Sequence, residues 1–133
     1  MPTIEFPYII YKEHKLPMVP VRIKSDDKWH EIWMFVDSGA TYTILNAKES
    51  KRLDIDHKTG DKIFVKVGDG AYISVYLFKL PVKIDDVEFE AHVGFSEELG
   101  IGFNIMGRKD FFEKFTICFS DERKMIQFIQ SMK

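Results

Sequence analysis

Short runs of alternating apolar and polar residues fill most of this 133-residue chain, and turn-forming residues separate each run from the next. Alternation with a period of two is typical of β-strands that bury one face. The run from Lys62 to Val67, for example, places Ile63 and Val65 on the same face. The pattern predicts an all-β protein with strands over residues 3–11, 17–24, 32–36, 42–45, 62–67, 71–84, 87–95, 103–106, 115–119 and 124–129.

Two segments depart from the period of two and predict short helices. Asn46 is a favourable N-cap residue, and Glu49 follows it at the spacing of a capping box, so a helix is predicted to about Leu53. A second helix is predicted from Gly107 to about Lys114. Pro7 interrupts the first strand, which predicts that this strand lies at a sheet edge.

Composition narrows the possible functions. Apolar residues make up 45% and charged residues 30% of the chain, a normal balance for a single globular domain over residues 1–133. The net charge of −2 argues against a nucleic-acid partner, which a basic excess usually accompanies. No apolar run is long enough for a transmembrane helix, so no membrane partner is expected. The single cysteine, Cys118, permits no internal disulfide and favours a cytoplasmic location.

The four histidines offer no metal site. They are scattered along the chain without the spacing of metal ligands, at His14, His30, His57 and His92. We therefore expect neither a metal ion nor another cofactor.

An acidic residue directly follows the most apolar run of the chain. The run from Ile32 to Val36 is apolar at every position, which predicts that both faces of this strand are covered. It ends at Asp37, and burial of a carboxylate is unfavourable unless the group is hydrogen-bonded or paired. Ser38, Gly39 and Ala40 follow, and these small residues let backbone N–H groups and a second group approach the carboxylate. Taken alone, the segment also fits a β-turn, which Asp often begins.

The flanking residues favour a catalytic loop. The segment from Phe35 to Thr41 resembles the active-site segment of retropepsin-like aspartic proteases, the single-domain, retroviral-type family. Phe103 to Phe112 resembles the hydrophobic-hydrophobic-Gly element of that family with its short helix, and Ile63 to Ile73 resembles its flap hairpin. These segments occur in the family's order over most of the chain. The resemblance implies the acid-protease fold, a closed β-barrel with one or two short helices.

The resemblance also implies roles for individual residues. Asp37 would be the catalytic residue, Ser38 would join the two active-site loops by hydrogen bonds, and Gly39 would donate its N–H to the carboxylate. The remaining predicted site residues fall into three groups. Ala40 belongs to the active-site loop, and the flap consists of Val67, Gly68, Asp69 and Gly70. The structural support consists of Ile105, Met106, Gly107, Arg108 and Asp110. Arg108 would form an ion pair, either with Asp110 or across a dimer.

One catalytic segment per chain implies a homodimer. Peptide hydrolysis by this chemistry needs two carboxylates that share a water molecule, and the chain has a single Asp-Ser-Gly sequence. A twofold homodimer acting on a polypeptide substrate would supply the second Asp37. In retroviral relatives the chain ends interleave between subunits, and whether residues 1–11 and 124–133 do so is open. The alternatives are an inactive dimerisation or peptide-binding module of the same fold, and a small β-barrel that binds a small ligand.

Overall fold

The computed structural model describes residues 3–100 and 102–130, and these residues form twelve strands, two short α-helices and one 3₁₀ turn at His57–Thr59. The strands are β1 (Thr3–Pro7), β2 (Ile9–Tyr11), β3 (His14–Leu16), β4 (Met18–Ser25), β5 (Lys28–Val36), β6 (Thr43–Asn46), β7 (Asp61–Lys66), β8 (Tyr72–Ile84), β9 (Val87–Ser96), β10 (Asn104–Met106), β11 (Phe115–Ser120) and β12 (Met125–Gln130). The helices are α1 (Glu49–Arg52) and α2 (Phe111–Lys114). The predicted all-β class with two short helices is confirmed.

The largest sheet has seven strands in the order β4-β5-β10-β6-β9-β8-β7. β4 also pairs with β8, where Arg22 lies opposite Lys83 and Ile23 lies opposite Val82. This pairing closes the strand order on itself and leaves β7 as an extension beside β8. The core therefore lies inside a closed sheet.

Alternate residues of β4 and β5 supply the centre of the core. Their buried side chains are Val19, Val21, Ile23, Ile32, Met34 and Val36. The intervening positions of β5 face the other way, and Trp33 is 41% exposed while Phe35 is half-buried. The expectation that both faces of residues 32–36 are covered is therefore wrong, because no described element packs over the outer face of β5 at Trp33.

The two ends of the described chain meet in a second sheet of order β1-β12-β11. β1 pairs with β12 from Thr3 opposite Ile129 to Pro7 opposite Met125. β1 is an edge strand that ends at Pro7, as predicted. Within one copy, residues 3–7 pair with residues 125–129. Residues 1–2 and 131–133 lie outside the described residues, and pairing of the chain ends between two copies is not tested by a single chain.

The helix boundaries differ from the prediction at their starts. The N-cap of α1 is Lys48, and Asn46 Oδ1 instead accepts a hydrogen bond from the Lys48 N–H at 3.1 Å. The predicted Asn46–Glu49 capping box is therefore wrong, and the Glu49 carboxylate contacts Arg52 and Asn104 instead. α2 begins after Asp110 rather than at Gly107. Within the described residues, no helix has the length and apolar character needed to cross a bilayer.

Candidate active site

The loop that follows β5 holds the Asp37 carboxylate in a fixed direction. The Asp37 N–H donates to the Met106 carbonyl oxygen at 3.0 Å, since β10 runs parallel to β5 with Met106 opposite Val36. The Gly39 N–H donates to Asp37 Oδ1 at 2.9 Å, and the Ala40 N–H donates to the Asp37 carbonyl oxygen at 3.2 Å. The carboxylate is half-buried, and the next two residues are exposed. The turn therefore orients an acidic group that a second molecule can reach.

Strand periodicity places this acid on the open side of β5. Ile32, Met34 and Val36 point into the core, so Phe35 and Asp37 point the opposite way. The all-apolar run before Asp37 does not bury the carboxylate on both sides. It buries one face and leaves an apolar surface beside the acid on the other.

Gly107 allows a second segment to pass directly behind the acid-bearing loop. A methyl group at this position would overlap the carbonyl group of Tyr42 and lie 2.8 Å from its nitrogen. The Gly107 N–H donates to Thr43 Oγ1 at 3.0 Å, and the Arg108 N–H donates to the Ala40 carbonyl oxygen at 2.9 Å. The absence of a side chain thus permits a hydrogen-bonded contact between two loops that are distant in sequence. Sequence reasoning missed Thr43, although its place in the strand after the loop is a usable signal.

The hairpin of β7 and β8 overhangs the same loop. Its tip is closed by hydrogen bonds from the Gly70 N–H to the Val67 carbonyl oxygen at 2.9 Å and from the Ala71 N–H to Asp69 Oδ1 at 2.9 Å. Gly70 has a φ of +91°, a conformation that favours glycine. The Asp69 carboxylate therefore serves its own turn.

A cleft of about 480 Å³ lies between this hairpin and the loop. Several predicted site residues line it together, namely Asp37, Gly39, Ala40, Val67, Gly68 and Ile105. Three others, Ser38, Asp69 and Gly70, do not line it, and Met106 and Gly107 are buried behind it. Ile44 and Leu99 add apolar walls that the sequence did not identify as site residues. The cleft has an acid at its floor, apolar walls, and polar groups from Thr41, Tyr42 and Lys66.

The segment that carries Leu99 into the cleft is held at the two residues before it, Glu97 and Glu98. Glu98 Oε1 accepts the Ser74 N–H at 2.8 Å, and Glu97 Oε2 lies 2.8 Å from His57 Nε2. The hydrogen bond with His57, together with the charge of Lys58, lowers the pKa of Glu97. These contacts fix one wall of the cleft to β8 and to the 3₁₀ turn at His57–Thr59, and no sequence motif signals them.

Asp110 pairs with a residue other than the predicted one. Its Oδ2 accepts the His92 N–H at 2.7 Å and lies 2.8 Å from His92 Nδ1. Burial raises the pKa of Asp110, but the hydrogen bonds with His92 and the charge of Lys109 outweigh it, so the pKa is below its usual value. The predicted Arg108–Asp110 ion pair is therefore wrong. Arg108 is exposed and forms no ion pair with any described residue.

Metal-binding residues do not cluster anywhere in the described parts of the chain. Across residues 3–100 and 102–130, no group of three or more His, Cys, Asp or Glu side chains is arranged to hold a metal ion.

Comparison with known proteins agrees with this geometry. A model of a family described as aspartyl protease matches residues 19–97, which is more than half of the chain. The EIAV protease, solved in complex with the inhibitor HBY-793, is 20% identical with a TM-score of 0.55, covering 79% of this chain and 92% of its own. A retropepsin-like aspartic protease from Rickettsia conorii is 16% identical with a TM-score of 0.59, covering 96% of this chain and 90% of its own. A search of curated proteins found no match. The two structural likenesses confirm the predicted acid-protease fold.

Proposed function

Because the chain belongs to the aspartyl protease family, we propose that it is a homodimeric aspartic endopeptidase in which Asp37 of each copy activates a shared water molecule. One observation carries the proposal. The Asp37 carboxylate is oriented by the Gly39 N–H at the floor of an apolar-walled cleft, on the face of β5 that points away from the core. A single chain contributes one such acid, so a second copy completes the pair.

The reaction follows from two carboxylates held side by side. Two like charges about 3 Å apart do not both ionise readily, so one carboxyl stays protonated while the other is ionised. The ionised Asp37 takes a proton from the water as general base, and the protonated Asp37 donates to the substrate carbonyl oxygen. The hydrogen bond from Gly39 holds the Asp37 carboxylate in place, and the small residues Ser38 and Ala40 leave room for the second loop.

The β7–β8 hairpin is proposed as the flap over the substrate. An extended polypeptide would lie between the flap and the loop of Asp37, bonded through its backbone as an added strand. The apolar cleft walls at Ile44, Leu99 and Ile105 would receive substrate side chains. Val67 and Gly68 line the cleft from above and would contact the substrate at the flap tip.

The proposal is tested by mass and activity measured on the same samples. Molecular mass in solution and cleavage of an unfolded protein mixture should be measured across roughly pH 3 to 8, which brackets the titration of paired carboxyl groups. Asp37→Asn should keep the dimer and abolish cleavage. Asp86→Asn makes the same chemical change at an exposed turn between β8 and β9, and it should leave cleavage intact.

Two results would contradict the proposal in different ways. A stable dimer that cleaves nothing at any pH in this range would favour the inactive peptide-binding module. A chain that stays monomeric at every concentration would rule out a shared site, since Asp37 alone supplies half of the reacting pair.

A further inference from the structure

Leu99 lines the cleft from a segment that belongs to no sheet. β9 ends at Ser96, and within the described residues no backbone–backbone hydrogen bond holds residues 97–99. The Leu99 side chain packs against the apolar cluster that Ile73 and Val75 form with a residue of β6. Apolar contact is non-directional, so it does not by itself fix the path of the backbone. The position of this wall therefore depends on the side-chain contacts of its own segment.

Glu98 connects the segment to the second strand of the hairpin that overhangs the cleft. The ladder between β8 and β9 ends where Tyr76 lies opposite Phe95, and β8 extends beyond this pair to Tyr72. In that stretch the Ser74 N–H donates to Glu98 Oε1 at 2.8 Å. The Glu98 carboxylate thus takes the place of the missing strand for one backbone donor of β8.

Glu97 connects the same segment to the 3₁₀ turn that precedes β7. Its Oε2 lies 2.8 Å from His57 Nε2, and Lys58 Nζ lies 3.9 Å from the same oxygen. The His57 side chain is 17% exposed, and its ring packs edge-on against Tyr76 with ring centres 5.5 Å apart. A mostly buried ring therefore gives the exposed Glu97 carboxylate a fixed partner.

We infer that Glu97 and Glu98 are positioning residues of the cleft, which hold Leu99 where a substrate side chain contacts it, with His57 as the anchor of Glu97. The inference rests on the proposed function, because it concerns how a polypeptide is bound. Neither glutamate lines the cleft, so each acts through Leu99 and not on the substrate. Loss of this hold should weaken substrate binding and leave the hydrolytic step unchanged, which raises KM without lowering kcat.

The test compares KM and kcat in the parent and in variants, with a peptide that spans a site cleaved in the unfolded protein mixture. Glu97→Ala should raise KM about fivefold, the size expected for one exposed hydrogen-bonded pair, with kcat within about twofold of the parent. His57→Phe keeps a ring against Tyr76 but lacks Nε2, and it should have the same effect. The double variant should be no worse than either single variant, because both remove one contact.

Three further variants separate this role from a general effect of a surface change. Glu97→Gln keeps an oxygen that can accept a hydrogen bond from His57, so its KM should stay within about twofold of the parent. Glu90→Ala removes an exposed glutamate within β9 that does not line the cleft, and it should leave KM unchanged. Leu99→Ala removes the wall itself and should raise KM at least about tenfold.

Each contrary outcome has a separate meaning. A KM within about twofold of the parent, both in Glu97→Ala and in a variant that replaces Glu97 and Glu98 together by alanine, would overturn the inference and leave the proposed function standing. The same conclusion follows if these variants lower kcat while KM stays unchanged, because that pattern marks an interaction made in the reaction step. A parent that cleaves nothing across roughly pH 3 to 8 would overturn the proposed function itself, and this inference with it.

Discussion

Replacement of Gly107 by alanine should destabilise the fold strongly through one contact. The added carbon would lie under 3.0 Å from three backbone atoms of Tyr42, its carbonyl oxygen and carbon and its nitrogen. These atoms belong to the segment that also accepts the Gly107 N–H at Thr43 Oγ1 and the Arg108 N–H at Ala40. A flexible side chain could rotate away, but this backbone can move only if the two loops separate.

The size of the effect follows from the number of overlaps. Insertion of a methyl group into a well-packed site usually costs 1–3 kcal/mol, and three backbone overlaps place Gly107→Ala at about 3 kcal/mol. Unfolding entropy is about 2.1 cal/mol/K per residue, which for this chain length gives a fall in Tm of roughly 11 °C.

Thermal unfolding followed by circular dichroism, at one fixed protein concentration, measures this change. Gly68→Ala is the matched control, because nothing lies within 4 Å of a carbon added there. Its Tm should stay within about 2 °C of the parent, as expected for an unhindered surface change. A Gly107→Ala protein that melts less than about 3 °C below the parent would refute the reasoning that this contact is rigid.

Two further predictions concern buried polar groups. Burial and the hydrogen bond of its hydroxyl to Asp121 Oδ1 at 2.8 Å raise the pKa of Tyr8 to about 12. Tyr8→Phe should therefore cost about 1 kcal/mol at pH 7 in urea unfolding. The pKa of Tyr8 in the folded state lies above its unfolded value of about 10, so the stability advantage of the parent over Tyr8→Phe should be lost as the pH rises from about 10 through 12. A stability difference between the two proteins that does not change with pH would contradict the raised pKa of Tyr8. The buried Asn104 side chain donates to the Trp33 carbonyl oxygen and to Glu49 and accepts the Asn46 N–H. Asn104→Leu should lower the free energy of unfolding by about 2–3 kcal/mol because it leaves these groups unpaired. A loss under about 1 kcal/mol would show that the hydrogen bonds of Asn104 contribute little to stability.

Local patterns predicted most of the strands, and the exceptions have physical causes. Period-two alternation located the strands of the closed sheet, since each buries one face. The break at Tyr8 between β1 and β2 was missed, so residues 3–11 were taken as one strand, and the turn that leads from β2 into β3 was missed as well, so β3 was not predicted. Lys12 and Glu13 have φ values of 50° and 71°, but neither residue type announces such a turn in a sequence. The covered outer face predicted for β5 was wrong because an apolar residue such as Trp33 can lie on an open face.

The candidate site likewise contains residues that the sequence identifies and contacts that it does not. Asp37 and Gly107 were identifiable because each is part of a short segment whose chemistry depends on adjacent residues. The contacts of His92 with Asp110 and of His57 with Glu97 were not, because they depend on which strands become neighbours and in what register. The single domain over residues 1–133, the homodimer and the cytoplasmic location remain predictions.

The sheet that joins the two ends of the described chain also affects how the protein is made. β1 is synthesised before the other described strands and β12 after them, yet they are hydrogen-bonded neighbours. The core side chains Ile126 and Phe128 come from β12, so the hydrophobic core cannot be completed while the chain is still being translated through this region. Pairing over so long a sequence separation is a slow step in folding. We therefore expect the cleft to form only after Gln130 has left the ribosome, which would delay any proteolysis until synthesis of this domain has ended.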